Sequence, residues 1–218
     1  MSFDIFRLFC FAGMAVIAGG ILYSVLGYRG KQGEKYSLLN HFISELGEVG
    51  VTPSARVFNL SLIAGGLLIL PYIVGLGIKF GSWLGWLGML AGLTAALGVI
   101  GVGIFPMNKL DGHVKAAQTY FRAGLVMVFL FGLAIIFQPA QHRFVPQTAN
   151  LLSLVTFGVY AFFLFMLKPP PAARDPATAN SLDPTVVPVR PRVWLFPIME
   201  WMVFFVTLLW LFGMAFFI

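Results

Sequence analysis

Six apolar runs, each long enough to cross a lipid bilayer, leave little of this 218-residue chain for anything else. The hydrocarbon core of a bilayer is about 30 Å thick, and a helix rising about 1.5 Å per residue crosses it in roughly 20 residues. The runs fall at 5–27, 57–78, 83–105, 119–137, 151–167 and 193–217. In lipid a segment must satisfy its own backbone hydrogen bonds, so runs of this kind become helices. The fold expected is an all-α integral membrane protein, a bundle of six transmembrane helices forming a single domain over 1–218.

Composition excludes the alternatives. The chain is 59% hydrophobic and 10% charged, whereas a soluble domain carries roughly a quarter charged residues. No water-soluble fold could bury that excess. The first run is too long for a signal-peptide core and lacks an Ala-x-Ala pattern, so it reads as a mature helix. The net charge of +6 does not imply nucleic acid as a partner, because no basic run is interleaved with aromatics. Cys10, the single cysteine, lies inside the first run and reads as packing filler.

Proline and glycine punctuate the runs. Thr52 and Pro53 predict an N-cap and first-turn proline for the second helix, while Pro106, Pro139 and the run Pro169, Pro170, Pro171 stop the third, fourth and fifth. Pro71 frees the carbonyl of Leu67 within the second helix. Seven prolines make 168–192 an extended connection with no domain of its own. Gly88 and Gly92 form a small-xxx-small pair for which another span of the same chain is the expected partner. No internal repeat supports a transporter built from inverted halves.

Orientation follows from basic residues near the spans. Loops one, three and five hold Arg29, Lys31, Lys35, Arg56, Lys109, Lys115, Arg122, Lys168, Arg174, Arg190 and Arg192, against Arg7, Lys79 and Arg143 on the other side. Eleven against three places the odd loops in the cytoplasm and both termini outside. A headgroup-binding site would gather the same cations.

The segment 36–50, YSLLNHFISELGEVG, carries the chemistry. Leu38, Leu39, Phe42, Ile43 and Leu46 recur at helical spacing, Ser37 can cap the start and Gly47 can end it, so 37–46 is expected to form a short amphipathic helix at the interface. Asn40 with Ser44, and His41 with Glu45, are each four apart and would share its polar edge. If the pair is functional, replacing His41 or Glu45 by Ala is expected to leave folding and membrane insertion nearly unchanged, since such an edge packs against little. Loop three adds Asp111 as an N-cap, then His113, Lys115 and Arg122 leading into the fourth helix. Glu200 lies about 10 Å inside the sixth helix from the same face, where a carboxylate needs a partner. Arg122, at similar depth, is the expected one, with His113 or His41 next. His41 and Glu45 would suit two ligands on one turn, but without an HExxH or cysteine-rich pattern neither a metal nor a cofactor is expected.

The residues Ile43-Ser44-Glu45-Leu46-Gly47, then Gly101-Val102-Gly103-Ile104-Phe105-Pro106 and Asp111-Gly112-His113, carry a resemblance. Over roughly residues 5–165 the chain resembles the uncharacterised six-span family catalogued as domain of unknown function 998, itself distantly grouped with the FRAG, DRAM and SFK membrane proteins. The resemblance implies roles for an acidic residue after the Ile-Ser pair and for a histidine after the Gly-x-Phe-Pro stretch, here Glu45 and His113. The chain departs from the pattern in having Glu where Asp is commoner, and Lys115 where a further polar or histidine residue is expected. The resemblance also implies lipid remodelling or organisation in a bacterial or archaeal cytoplasmic membrane.

Taken together, Asn40, His41, Ser44, Glu45, Asp111, His113, Lys115, Arg122 and Glu200 define a polar site at the odd-loop face. A phospholipid headgroup or similar anionic amphiphile is its expected ligand, with Lys115 and Arg122 on the phosphate and the histidines and carboxylates orienting polar atoms or moving protons. Hydrolysis or acyl transfer on lipid is a subsidiary reading. The alternative is an accessory subunit whose surface, drawn from 23 Phe and 5 Trp, packs against other membrane subunits.

Overall fold

The computed structural model describes residues 3–167 and 190–218. Within them lie six long helices, α1 (Phe3–Gly27), α2 (Ala55–Phe80), α3 (Trp83–Ile104), α4 (Leu110–Ile136), α5 (Asn150–Met166) and α6 (Leu195–Phe217), and no strand. All six are long and apolar enough to cross a membrane, α5 together with the turn that precedes it. The proline-rich connection expected over 168–192 lies, up to residue 189, outside the described residues.

Each helix packs on the next in sequence, and α6 returns to α1, so the six form a ring. α1 and α2 cross closely through glycines on both sides. A methyl group added at Gly13 would lie 2.8 Å from the Gly65 carbonyl oxygen, and one at Gly65 would lie 2.8 Å from that of Gly13. Only a hydrogen at both positions lets the two backbones touch. Gly88 meets the Phe131 ring of α4, and Gly92 meets Ile73 of α2 and Met127 of α4, so this pair serves packing inside the chain. Large apolar side chains such as Leu26, Trp83 and Phe165 point outward, as they do on a surface solvated by lipid.

The end bearing the even-numbered loops is closed by local chemistry. Gly81, with φ of 57°, ends α2 in the left-handed conformation that glycine tolerates, and the Ser82 hydroxyl accepts from the Gly85 N–H to start α3. After α4, the buried amide of Gln138 donates to the carbonyls of Ile135 and Val145 and accepts from the N–H groups of Phe144 and Val145. One side chain thereby satisfies a turn that has no ladder of its own.

Two helix starts differ from expectation. α2 begins at Ala55, and the Thr52 hydroxyl donates instead to the Glu45 carbonyl at 2.9 Å, holding loop one and not the helix end. α4 begins at Leu110 with Lys109 in the cap position, so Asp111 occupies the first turn and favours the helix through its charge.

Candidate functional site

Loops one, three and five meet at the other end of the ring. Asn108 of loop three exchanges hydrogen bonds with the backbone of Val49 at 2.7 and 2.9 Å. From beyond loop five, the Trp194 N–H donates to the Leu39 carbonyl at 2.8 Å, and the Asn40 amide donates to the Pro191 carbonyl at 3.0 Å. Loop one, residues 28–54, is thus strapped down as a lid.

The amphipathic helix expected over 37–46 does not form. Residues 37–41 make one turn, and a short 3-10 helix follows at Ile43–Gly47 with all five of its residues buried. The reason lies in where the backbone donors go. The Phe42 N–H donates to Glu45 at 2.9 Å, the Ile43 N–H to Glu200 at 2.7 Å, and the Ser44 N–H also to Glu200. An α-helix would have directed these three donors to carbonyls four residues back. Two carboxyl groups outcompete a helix of a length that is marginal on its own.

The displaced carbonyls find other donors. That of Asn40 accepts from Arg190, and those of His41 and Phe42 accept from the Tyr36 hydroxyl. Tyr36 in turn accepts from the Trp201 indole at 3.1 Å. Arg190 also meets Glu45 as a fork, at 2.8 and 3.0 Å. Its guanidinium is held above its ordinary range chiefly by the hydrogen bond to Glu45.

His41 is 3% exposed and sits against the Tyr28 and Tyr36 rings, with centroids 5.3 and 5.1 Å away. Burial lowers its titration below the ordinary imidazole range, against the opposing pull of Glu45. The imidazole is therefore neutral near pH 7. The Ser37 N–H donates to Nδ1 at 3.2 Å, while Nε2 is buried with no hydrogen-bond partner among the described residues. Burial likewise raises the hydroxyls of Tyr28 and Tyr36. Because His41 and Glu45 are both buried and tied to backbone, the exposed edge on which the expectation of neutral alanine substitutions rests is absent.

Beneath the lid, inside the ring, lies a cavity of about 130 Å³ lined by residues from all six helices. Most of its wall is apolar, from Ile17 and Ile21 of α1 to Leu208 and Leu211 of α6. Ser44, His113 and Glu200 supply polar groups. His113 projects from the first turns of α4, and its Nδ1 lies 2.9 Å from the Phe105 carbonyl at the end of α3. A carbonyl can only accept, so Nδ1 carries the proton and Nε2 the lone pair. Glu200, Phe204, Thr207, Leu208 and Leu211 follow helical spacing and give α6 one stripe on the cavity. On that stripe Thr207 receives the hydroxyls of Tyr120 at 3.2 Å and Tyr160 at 2.8 Å. No spacing in the sequence points to the meeting of these three hydroxyls, nor to the contacts of Arg190, Tyr28, Tyr36 and Trp201.

The nine expected site residues therefore separate into three groups. Ser44, His113 and Glu200 reach the cavity; Asn40, His41 and Glu45 build the lid above it; Asp111, Lys115 and Arg122 are exposed on α4. The expected pairing of Glu200 with Arg122 is not present. Among the described residues no ion pair joins them, and backbone N–H groups of the lid take the place of the guanidinium. An exposed arginine at this depth is satisfied by extending toward the interface. Among the described residues no three His, Cys, Asp or Glu side chains converge as a metal site.

A six-span helical ring with a lidded internal cavity defines an integral membrane protein whose polar groups converge at one end. The chain belongs to the family described as protein of unknown function (DUF998), whose model matches residues 16–217. None of the curated proteins and none of the solved structures compared matches it.

Proposed function

We propose that the protein binds an amphiphile drawn from the surrounding membrane, with its apolar part in the central cavity and its polar end under the lid at Glu200, His113 and Ser44. The observation that carries this reading is the cavity itself, apolar along most of its wall and polar at residues from three different elements. Its volume of about 130 Å³ is close to that of the roughly 150 Å³ apolar cavity known to bind benzene, so a segment of about six carbons fits. Each buried methylene contributes about 0.8 kcal/mol, which makes an empty apolar site attractive to chains. Lys115 and Arg122 lie outside the cavity and serve the phosphates of neighbouring lipids instead. The distribution of basic residues supports a cytoplasmic setting for the lidded end in a prokaryotic membrane.

The test is native mass spectrometry of the protein released from membranes, beside an Ala95→Phe variant that fills the cavity from α3. A bound small amphiphile on the natural protein and none on the folded variant is the expected result. Equal adducts on both would place binding elsewhere and end the proposal.

A further inference from the structure

The cavity offers hydrogen-bond acceptors almost exclusively, and that restricts what can occupy it. The Thr207 hydroxyl donates to the Val203 carbonyl at 2.6 Å, so its oxygen can only accept from Tyr120 and Tyr160. All three hydroxyl protons are thereby committed, and what the two phenols still present is lone pairs. His113 commits its Nδ1 proton to Phe105 and presents the Nε2 lone pair. Glu200 takes two backbone N–H donors and retains further acceptor sites on its two oxygens. Among the described residues, the side-chain protons left to give are that of Ser44 and, when its carboxyl group is protonated, that of Glu200. Among the described residues no lysine or arginine lines the cavity.

We infer that the occupant is a short alkyl chain ending in a hydrogen-bond donor, an alcohol or a primary amine, and that a phosphate or carboxylate headgroup is rejected. An anionic headgroup would find few protons and no cation, while facing the Glu200 carboxyl group; its desolvation would go uncompensated. A hydroxyl or amine supplies protons to the free lone pairs of Glu200 and His113. This rests on the proposal that the cavity takes an amphiphile, and it reverses the charge preference that the cations of loops one and three imply from sequence.

Four six-carbon probes test both statements at once: hexane, 1-hexanol, hexylamine and hexyl phosphate. Binding is read as a shift in thermal unfolding in detergent, with Ala95→Phe subtracting the part due to micelle partition. Hexanol or hexylamine is expected to bind about fivefold or more tighter than hexane, the yield of one net hydrogen bond, and hexyl phosphate weaker than all. Hexyl phosphate binding as well as hexanol would overturn the inference and leave the amphiphile proposal standing, as would hexane equal to the alcohol and the amine. No cavity-dependent shift with any probe would remove both. Glu200→Gln keeps an acceptor for the Ile43 N–H and so spares the lid. It is expected to cut the advantage of hexylamine or hexanol over hexane by at least half, and an unchanged advantage would overturn the assignment of Glu200 as the receiving group.

Discussion

Arg190 grips Glu45 with both arms of its guanidinium, at 2.8 and 3.0 Å, and ties together residues 145 positions apart in sequence. The same carboxylate accepts the Phe42 N–H at 2.9 Å. Glu45 therefore serves a backbone donor inside the lid besides the fork, whereas the second contact of Arg190, to the Asn40 carbonyl, lies at the exposed rim.

Removing Glu45 should accordingly cost more than removing Arg190. Arg190 is about one third exposed at its side chain, so Arg190→Ala should lower stability by only about 1 kcal/mol. Glu45→Ala orphans a backbone donor as well and should cost about 2–3 kcal/mol. Arg190→Lys should not restore the fork. Thermal unfolding of the two single variants and the double variant checks this; equal single effects would mean that the Phe42 contact contributes nothing.

His41 should make the fold acid-sensitive. Its folded-state titration lies below the unfolded value of about 6.5, so the unfolded chain binds more protons as the pH falls through that value. Stability from this group is fully present above pH 6.5 and is lost as the pH drops below it. His41→Phe keeps a ring between Tyr28 and Tyr36, and should reduce the slope of unfolding temperature against pH between about 7.5 and 5.5. An unchanged slope would assign the sensitivity to other groups.

Glycine positions in α1 should differ sharply. Gly13→Ala brings a methyl against the Gly65 carbonyl and should destabilise by about 1–3 kcal/mol. Gly19, where an added methyl meets nothing within 4 Å, should accept Ala with no loss, or with a gain of up to about 1 kcal/mol from helix propensity. Unfolding in detergent distinguishes them.

Topology can be read with single cysteines in a Cys10→Ala background. Gln32→Cys in loop one should resist an impermeant maleimide applied to intact cells, while Arg143→Cys between α4 and α5 should react. Both positions are exposed. The reverse pattern would mean that the odd-loop cations serve a ligand and do not set orientation.

How far the molecule could be read from its sequence is clearest at Glu200. Its depth follows from counting residues along an apolar run, and a partner for a carboxyl group there is demanded by its desolvation. The partner itself was hidden, because the backbone N–H groups of Ile43 and Ser44 leave no mark in a sequence, whereas Arg122 does. Helical spacing misled in the same segment. Leu38, Leu39 and Leu46 fit one helix face, yet Leu38 and Leu39 are exposed while Leu46 is fully buried. A period read over ten residues does not distinguish a helix from a turn folded by long-range carboxylates. The cluster of Tyr120, Tyr160 and Thr207 was not legible because two aromatics and a threonine inside spans look like packing until three helices bring their hydroxyls together.

The ring order has a consequence for how such a molecule is made. The acceptors for the Ile43 and Ser44 amides sit on α6, and the fork on Glu45 comes from Arg190, just ahead of it. Five of the six helices emerge from the ribosome before either arrives. Until then loop one must leave two amide protons to water or to lipid headgroups, and the chamber below has no roof. Assembly of the site is thus a late event in biosynthesis, and a chain interrupted before α6 would display an unlatched lid that proteases and chaperones could recognise as unfinished.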